Sequence, residues 1–289
     1  MQLAILLASL VFGGPGGEAV SPPVSYNVRD FGAVGDGQTD DTTAFEAAMK
    51  AASEAGGGLV AIPTGNYLIA GHLDVPPHVT LEGVFRAPTA RTQNRGSTLL
   101  AVADAGDPDG QPFITLHANS TLHGLTVFYP NQTPTDPPIA YPWAVRGIGD
   151  NCSIVDVLLV NPYQAVDFGT HPAGRHYIKG LYAQALHRGI FVDQCYDIGR
   201  IEDVHLWPFW VDGGPVRDFT YREGEAFVIG RTDWEYMFNC FCILYKVGYH
   251  FVHTNAGDPN VVLTQCGSDV GPCAVLVDAC QGHAGLVFS

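Results

Sequence analysis

From Ser153 to Asp193 the chain reads SIVDVLLVNPYQAVDFGTHPAGRHYIKGLYAQALHRGIFVD, and two short patterns each occur twice in it. SIVDVLL (from Ser153) and YIKGLYA (from Tyr177) place an apolar residue two positions before Asp or Gly, then resume with apolar residues. AVDFG (from Ala165) and GIFVD (from Gly189) place two large apolar residues one position apart, then Gly or Asp. Ile154 and Ile178 are 24 residues apart, as are Ala165 and Gly189. Alternation at period two marks short strands with inward-facing pairs, and the closing Gly or Asp marks turns.

Both patterns extend outward. The first recurs in TLEGVFR (from Thr80), TLHGLTV (from Thr121) and RIEDVHL (from Arg200), the second in AFVIG (from Ala226) and AVLVD (from Ala274). Two strand types interleaved at a fixed period predict a coil of short strands, a parallel β-helix in which each turn completes the hydrogen-bond ladder of the last. Helical repeats are excluded because no apolar stripe at 3.6 spacing follows residue 55. The stretch WPFWVDGGPVRDFTYREGE (Trp207 to Glu225) breaks the period and reads as a long loop thrown out of a turn.

Upstream, YNVRDFGAVGDGQTDDTTAFEAAMKAASEAGGG (Tyr26 to Gly58) opens a helix. Thr43 and Glu46 have capping-box spacing, and Asp40 and Asp41 put negative charge at its N-terminus. Phe45, Ala48, Met49 and Ala52 form one apolar stripe, with Glu46 and Lys50 an i,i+4 pair on the far side. A solenoid needs its open end covered, so this helix is expected to cap the first coil.

VRDFGAVGDGQTDDTTAFEAAMKAA, followed by GGGLVAIPTGNYLI, resembles the N-terminal signature of the pectate-lyase-like β-helix superfamily, which includes polygalacturonase and rhamnogalacturonase relatives, uronan epimerases and phage tailspikes. The resemblance covers roughly residues 26 to 85. It implies an all-β fold, a single-stranded right-handed parallel β-helix with an N-terminal capping helix, acting on or binding carbohydrate. Asn-Thr-Asp, paired Asp, Gly-His-Gly and Arg-x-Lys, the polygalacturonase set, are absent, QGHAG near His283 being a partial echo. The arginine-rich signature of the calcium-dependent lyases is also missing. The pattern requires no cofactor; calcium is compatible with the family but no cation loop indicates it, and no metal-ligand spacing appears.

The opening run MQLAILLASLVFGGPGGEA (residues 1–19) reads as a signal peptide, its apolar core too short to span a bilayer. Residues 20–289 then form the β-helix domain, which is expected to be truncated at its C-terminal end because AGLVFS begins a strand with no polar cap after it. The location is secreted or periplasmic. The formal charge of −15, from 14 basic and 29 acidic residues, argues against nucleic acid or an anionic membrane as partner. A polysaccharide is the expected partner, and the open last coil offers a surface to a second copy of the chain. Of the seven cysteines, Cys266 and Cys273 flank a Gly/Pro turn and are the pair best placed for a disulfide. Cys195 and Cys280 end equivalent strands with one coil between them, about 9.6 Å apart and too far to bridge.

Catalytic candidates come from rows across adjacent coils. The first pattern sets Lys179 beside Glu202 and Tyr182 beside His205, about 4.8 Å apart on one solvent face. Glu202 and His205 would supply acid–base chemistry, with Lys179 and Tyr182 binding substrate. The same ladder is also what an ordinary cross-strand ion pair produces. In the second pattern Asp167 faces outward among apolar neighbours and Asp193 closes the next coil; together they would suit paired carboxylates, although turn capping accounts for both. Trp207, Trp210, Arg217 and Arg222 in the long loop are candidate substrate contacts, rings for sugar faces and guanidinium forks for carboxylates. The expected function is cleavage of a polysaccharide, by hydrolase or lyase chemistry; the alternative is a non-catalytic carbohydrate-binding or adhesin-like β-helix.

Overall fold

The computed structural model describes residues 25–84 and 95–289; the proposed signal peptide lies outside them. Its strands form two ribbons, one of 17 strands and one of 8, and every strand pairing is parallel. Successive strands in each ribbon are separated in sequence by a strand of the other kind or by a turn, so the chain winds as a parallel β-helix.

The register agrees with the sequence pattern residue by residue. Thr80, Thr121, Ser153, Tyr177 and Arg200 form one row, which continues through Tyr236, Val262 and Val287. The next position along is a ladder of inward side chains, Leu81, Leu122, Ile154, Ile178, Ile201, Met237 and Leu263, all buried. Burying each is worth about 1.5–3 kcal/mol, and because each touches its equivalent one coil away, the stack is self-supporting. In the second ribbon Val166, Ile190, Phe227, Tyr249 and Val275 are aligned in the same way.

The Gly or Asp of the first pattern has a specific cause. Gly124, Asp156, Gly180, Asp203, Asn239 and Gln265 all have φ between 51° and 61°. Each coil bends here through one left-handed residue, and Gly, Asn and Asp tolerate that conformation best. The bend divides the larger ribbon into two planes that meet at an angle, with these residues along the crease.

Several expectations change. The strand Glu235–Phe238 lies where only loop was expected, and with Val247–Phe251 it adds a coil that the repeat pattern did not count. Cys195 and Cys280 are therefore three strand spacings apart, about 14 Å, rather than two, and they do not pair. No disulfide is present among the described residues, including Cys266–Cys273. The long loop contains a helix, Gly214–Glu223, started by Pro215 and seated by Val216 and Thr220, one turn apart on its buried side. That two-residue stripe is too short for a periodicity search to register.

At the other end, helix α1 (Thr42–Glu54) buries the expected Phe45, Ala48, Met49 and Ala52 against the strands Ser25–Asn27, Gly58–Ala61 and Leu73–Val75. The Thr43/Glu46 capping box does not form. Asp40 Oδ1 instead accepts from the Thr42 N–H at 3.0 Å, and Asp41 turns back to accept from Val34 and Gly35 N–H groups. The surface ion pair is Lys50–Glu54, at 3.7 Å, and not Glu46–Lys50. Gly35 has φ 69°, and a Cβ there would sit 2.8 Å from the Tyr67 ring. This glycine and the aspartates close the entry turn on itself.

Candidate functional site

The crease carries an open groove of 660 Å³ lined by Asp156, Lys179, Tyr182, Asp203, His205, Trp207, Asn239 and Phe241. Four predicted residues, Lys179, Tyr182, His205 and Trp207, line it, and Glu202 pairs with Lys179. Lys179 and Glu202 are register partners, with Nζ 3.7 Å from Oε2. The Tyr177 hydroxyl donates to that same carboxylate oxygen at 3.1 Å. Tyr177 and Glu202 together raise the Lys179 pKa, so its ammonium stays charged.

Tyr182 and His205 are also register partners, with ring centroids 6.4 Å apart. Trp207, Phe209 and Phe241 stand edge-on around the imidazole at 5.5, 5.8 and 5.4 Å. This apolar enclosure disfavours the imidazolium and pushes the His205 pKa below its ordinary value. His205 is thus a neutral imidazole at pH 7, able to accept a proton at the groove floor.

The other predicted residues are not gathered here. Asp167 belongs to the second ribbon, in the outward row, yet it is fully buried. Its Oδ2 takes a 2.6 Å bond from Arg146 Nε, and its Oδ1 accepts the Gly169 and Thr170 N–H groups. The expected outward-facing carboxylate is instead a buried turn cap, because the Arg146 side chain one coil away covers it. Asp193 also caps a turn, accepting from the Arg231 N–H and the Thr254 hydroxyl. It borders a separate open groove with Thr170, Phe191, Gln194 and Tyr196. Trp210 packs on the satellite cluster of Leu158, Val160 and Phe209. Arg217 and Arg222 lie exposed on the Gly214–Glu223 helix, where Arg217 pairs with its neighbour Asp218 at 3.4 Å. Arg217 borders a small pocket on the other side of Trp207.

Sequence reasoning missed two features of the groove. Asp156 and Asp203 line it from the crease, at positions the sequence pattern marks only as a recurring Gly or Asp between apolar residues. Asn239 Nδ2 holds the Asp203 carboxylate at 2.8 Å. The second feature is the strand Glu235–Phe238, preceded by Trp234. Trp234, Tyr236 and Phe238 alternate and are 45%, 41% and 45% exposed, while Glu235 and Met237 between them are buried. The Trp234 and Tyr236 rings are stacked at 14° with centroids 6.5 Å apart. Phe238 is the register partner of Glu202, so this aromatic stripe runs alongside the groove. The signal was present in WEYMF, an alternation with its polarity reversed.

Comparisons with known proteins fit this architecture. The family model "Rhamnogalacturonase A/epimerase, pectate lyase-like" matches residues 25–144, stopping short of the groove. Alginate lyase 7 of Azotobacter vinelandii is 58% identical over 48 residues, 17% of this chain and 6% of that protein. A polygalacturonase of Persea americana is 48% identical over 96 residues, 33% of this chain and 19% of that protein. The tailspike protein of E. coli bacteriophage HK620, solved in complex with a pentasaccharide, superimposes with TM-score 0.63 at 13% identity, covering 92% of this chain and 50% of the tailspike. The chain therefore spans less than a fifth of these two sequence relatives and half of the tailspike.

Proposed function

The chain belongs to the pectate-lyase-like superfamily of right-handed parallel β-helices, and from that premise we propose that it is an exported enzyme that cleaves an acidic polysaccharide in the groove along the crease. The observation that carries this reading is the exposed stripe Trp234, Tyr236 and Phe238 beside the Tyr182–His205 pair. Single surface aromatics need no explanation, but three in alternation with a buried Glu and Met reverse the usual strand pattern. Flat rings at alternate positions along one strand, 6.5 Å apart between Trp234 and Tyr236, suit the apolar faces of successive sugars.

The groups in the groove favour elimination on a uronic acid. The neutral His205 imidazole takes the proton next to the sugar carboxyl, and the Lys179 ammonium balances the charge that develops on that carboxylate. The Tyr182 phenol donates its proton to the departing glycosidic oxygen as the C–O bond breaks, leaving a C=C bond in the new chain end. Glu202 orients Lys179 in this scheme.

A second reading rests on Asp156 and Asp203. They lie two coils apart with Gly180 between them, so their Cα atoms are separated by about 9.6 Å. Inverting glycosidases hold their two carboxyl groups about 6.5–9.5 Å apart, a separation within reach of two Asp side chains on Cα atoms so placed, one to protonate the leaving oxygen and one to activate a water. A panel of pectic, alginate and neutral polysaccharides separates the readings. Elimination yields unsaturated uronate together with new reducing ends, and hydrolysis yields reducing ends alone. Binding without either product would overturn the enzyme reading and leave a carbohydrate-binding β-helix.

A further inference from the structure

Away from the groove, inside the coil, three metal-ligating side chains converge. His176 precedes the strand Tyr177–Ala183, Cys195 follows the strand Arg188–Val192, and Glu235 opens the strand Glu235–Phe238. All three are buried, and one ligand atom of each lies within 4.8 Å of the other two. Four zinc ligands at tetrahedral angles, with bonds of about 2.0–2.3 Å, stand about 3.3–3.8 Å from one another. His176 Nε2 is 3.1 Å from Glu235 Oε1.

The proton inventory of this cluster is unbalanced. His176 Nδ1 lies 2.8 Å from the Ala173 carbonyl oxygen, an acceptor that places one ring proton on Nδ1, so that in the neutral ring Nε2 is a bare lone pair. That lone pair faces a carboxylate, which also has only lone pairs. Glu235 Oε2 has no hydrogen-bond partner among the described residues although the side chain is wholly buried. The Cys195 sulfur lies 2.7 Å from the Asp197 carbonyl oxygen and also shares a hydrogen bond with the His176 ring, and neither contact reaches the orphaned oxygen. A His⁺–Glu⁻ pair would satisfy one carboxylate oxygen and leave the other bare in the interior, where each missing bond is costly.

The backbone also makes room at this point. Gly199 is the register partner of Glu235, and a Cβ there would overlap Glu235 Oε2 and His176 Cε1. Glu235 occupies an inward position whose row continues through the apolar Val261 and Leu286.

We propose that His176 Nε2, Cys195 Sγ and the Glu235 carboxylate bind a zinc ion that joins three consecutive coils. Nε2 coordinates as a neutral imidazole whose Nδ1–H is held by Ala173, the usual outer arrangement of a ligating histidine. Cys195 binds as the thiolate, its proton being released to solvent when the metal enters. A thiolate, an imidazole and a carboxylate together select zinc over calcium or magnesium, which prefer oxygen ligands. The site is independent of the groove and of any activity on glycans.

The test uses the full chain, stripped with a chelator and then given Zn²⁺ alone or Co²⁺ alone. One equivalent of zinc is expected to stay with the protein through gel filtration and to raise its melting temperature. Cobalt is expected to give a thiolate charge-transfer band in the near ultraviolet, a wild-type signature that needs no variant. Cys195→Ser should abolish that band, and Glu235→Gln should lose stoichiometric zinc while circular dichroism shows the coil still folded. Folded wild-type protein that retains no zinc, or takes up cobalt without the thiolate band, would overturn the site, as would an unchanged band in Cys195→Ser.

Discussion

His205 lies one coil beyond Tyr182, with the two rings 6.4 Å apart and the imidazole enclosed by Trp207, Phe209 and Phe241. The relationship follows from register alone, since the two residues occupy the same position in successive coils. It pairs a phenol that can donate a proton with an imidazole that burial keeps neutral. His205→Gln is expected to lower turnover by about 10²–10⁴-fold with the fold intact. Because burial depresses its pKa, His205 stays in the base form below the ordinary histidine value of about 6.5. Activity should therefore hold through that pH and fall only under more acid conditions, and a pH–rate profile whose acid limb lies above it would remove His205 as the base.

The aromatic stripe makes a separate prediction about binding. Tyr236→Ala and Phe238→Ala each remove an exposed ring without touching the inward ladder, so melting temperature should barely move. Each stacked ring is worth about 0.5–1.5 kcal/mol, which corresponds to a KM or Kd increase of roughly 2–13-fold. Turnover at saturating substrate should stay near the wild-type value. Calorimetry with oligosaccharides of increasing length checks this, since only chains long enough to reach the stripe should be affected.

How much of this was legible in the sequence depends on the period. Rows whose spacing stayed near 24 residues, such as Ile154, Ile178 and Ile201, could be aligned by counting, and they placed Lys179 beside Glu202 and Tyr182 beside His205 correctly. After Leu206 the helix Gly214–Glu223 interrupts the count, so the coil through Tyr236 and Tyr249 was lost, and the aromatic stripe with it. Asp167 shows a different limit. Its outward position in the row was readable, but its burial depends on where the Arg146 side chain lies, which no strand pattern encodes. The Asp and Gly at the crease were visible as a pattern while their meaning was not, because a left-handed bend is not distinguishable from an ordinary strand position by apolar spacing alone.

The thiols are a further place where neighbouring coils decide chemistry. Cys240 and Cys266 precede register partners Phe241 and Gly267, and their side chains share a hydrogen bond. That bond holds the Cys266 thiol down at about 7, while it and burial push Cys240 well up. Iodoacetamide labelling followed by peptide mapping should show Cys266 modified with a midpoint near pH 7 and Cys240 inert over the same range. Cys240→Ala should move the Cys266 midpoint up toward the free-thiol value of about 8.5. Equal labelling of both thiols would contradict the assignment.

Asp167 gives the clearest stability prediction. The carboxylate is fully buried, while its partner Arg146 keeps 19% side-chain exposure. Removing one member of a buried pair leaves the other uncompensated, a loss of about 3–5 kcal/mol. Arg146 retains contact with water, so the low end of that range applies. In Asp167→Ala the Gly169 and Thr170 N–H groups also lose their acceptor. Asp167→Ala should therefore cost about 3 kcal/mol, a fall in melting temperature of roughly 6–12 °C for a domain of this size. Asp167→Asn keeps a carbonyl oxygen for the two N–H groups and loses the charge and the acceptor that face Arg146 Nε, so it should cost less than Asp167→Ala. Thermal unfolding of the two variants checks the order. If they were equally destabilised, the turn bonds would contribute nothing measurable; if neither were, the buried Arg146–Asp167 pair would not be what holds these two coils in register.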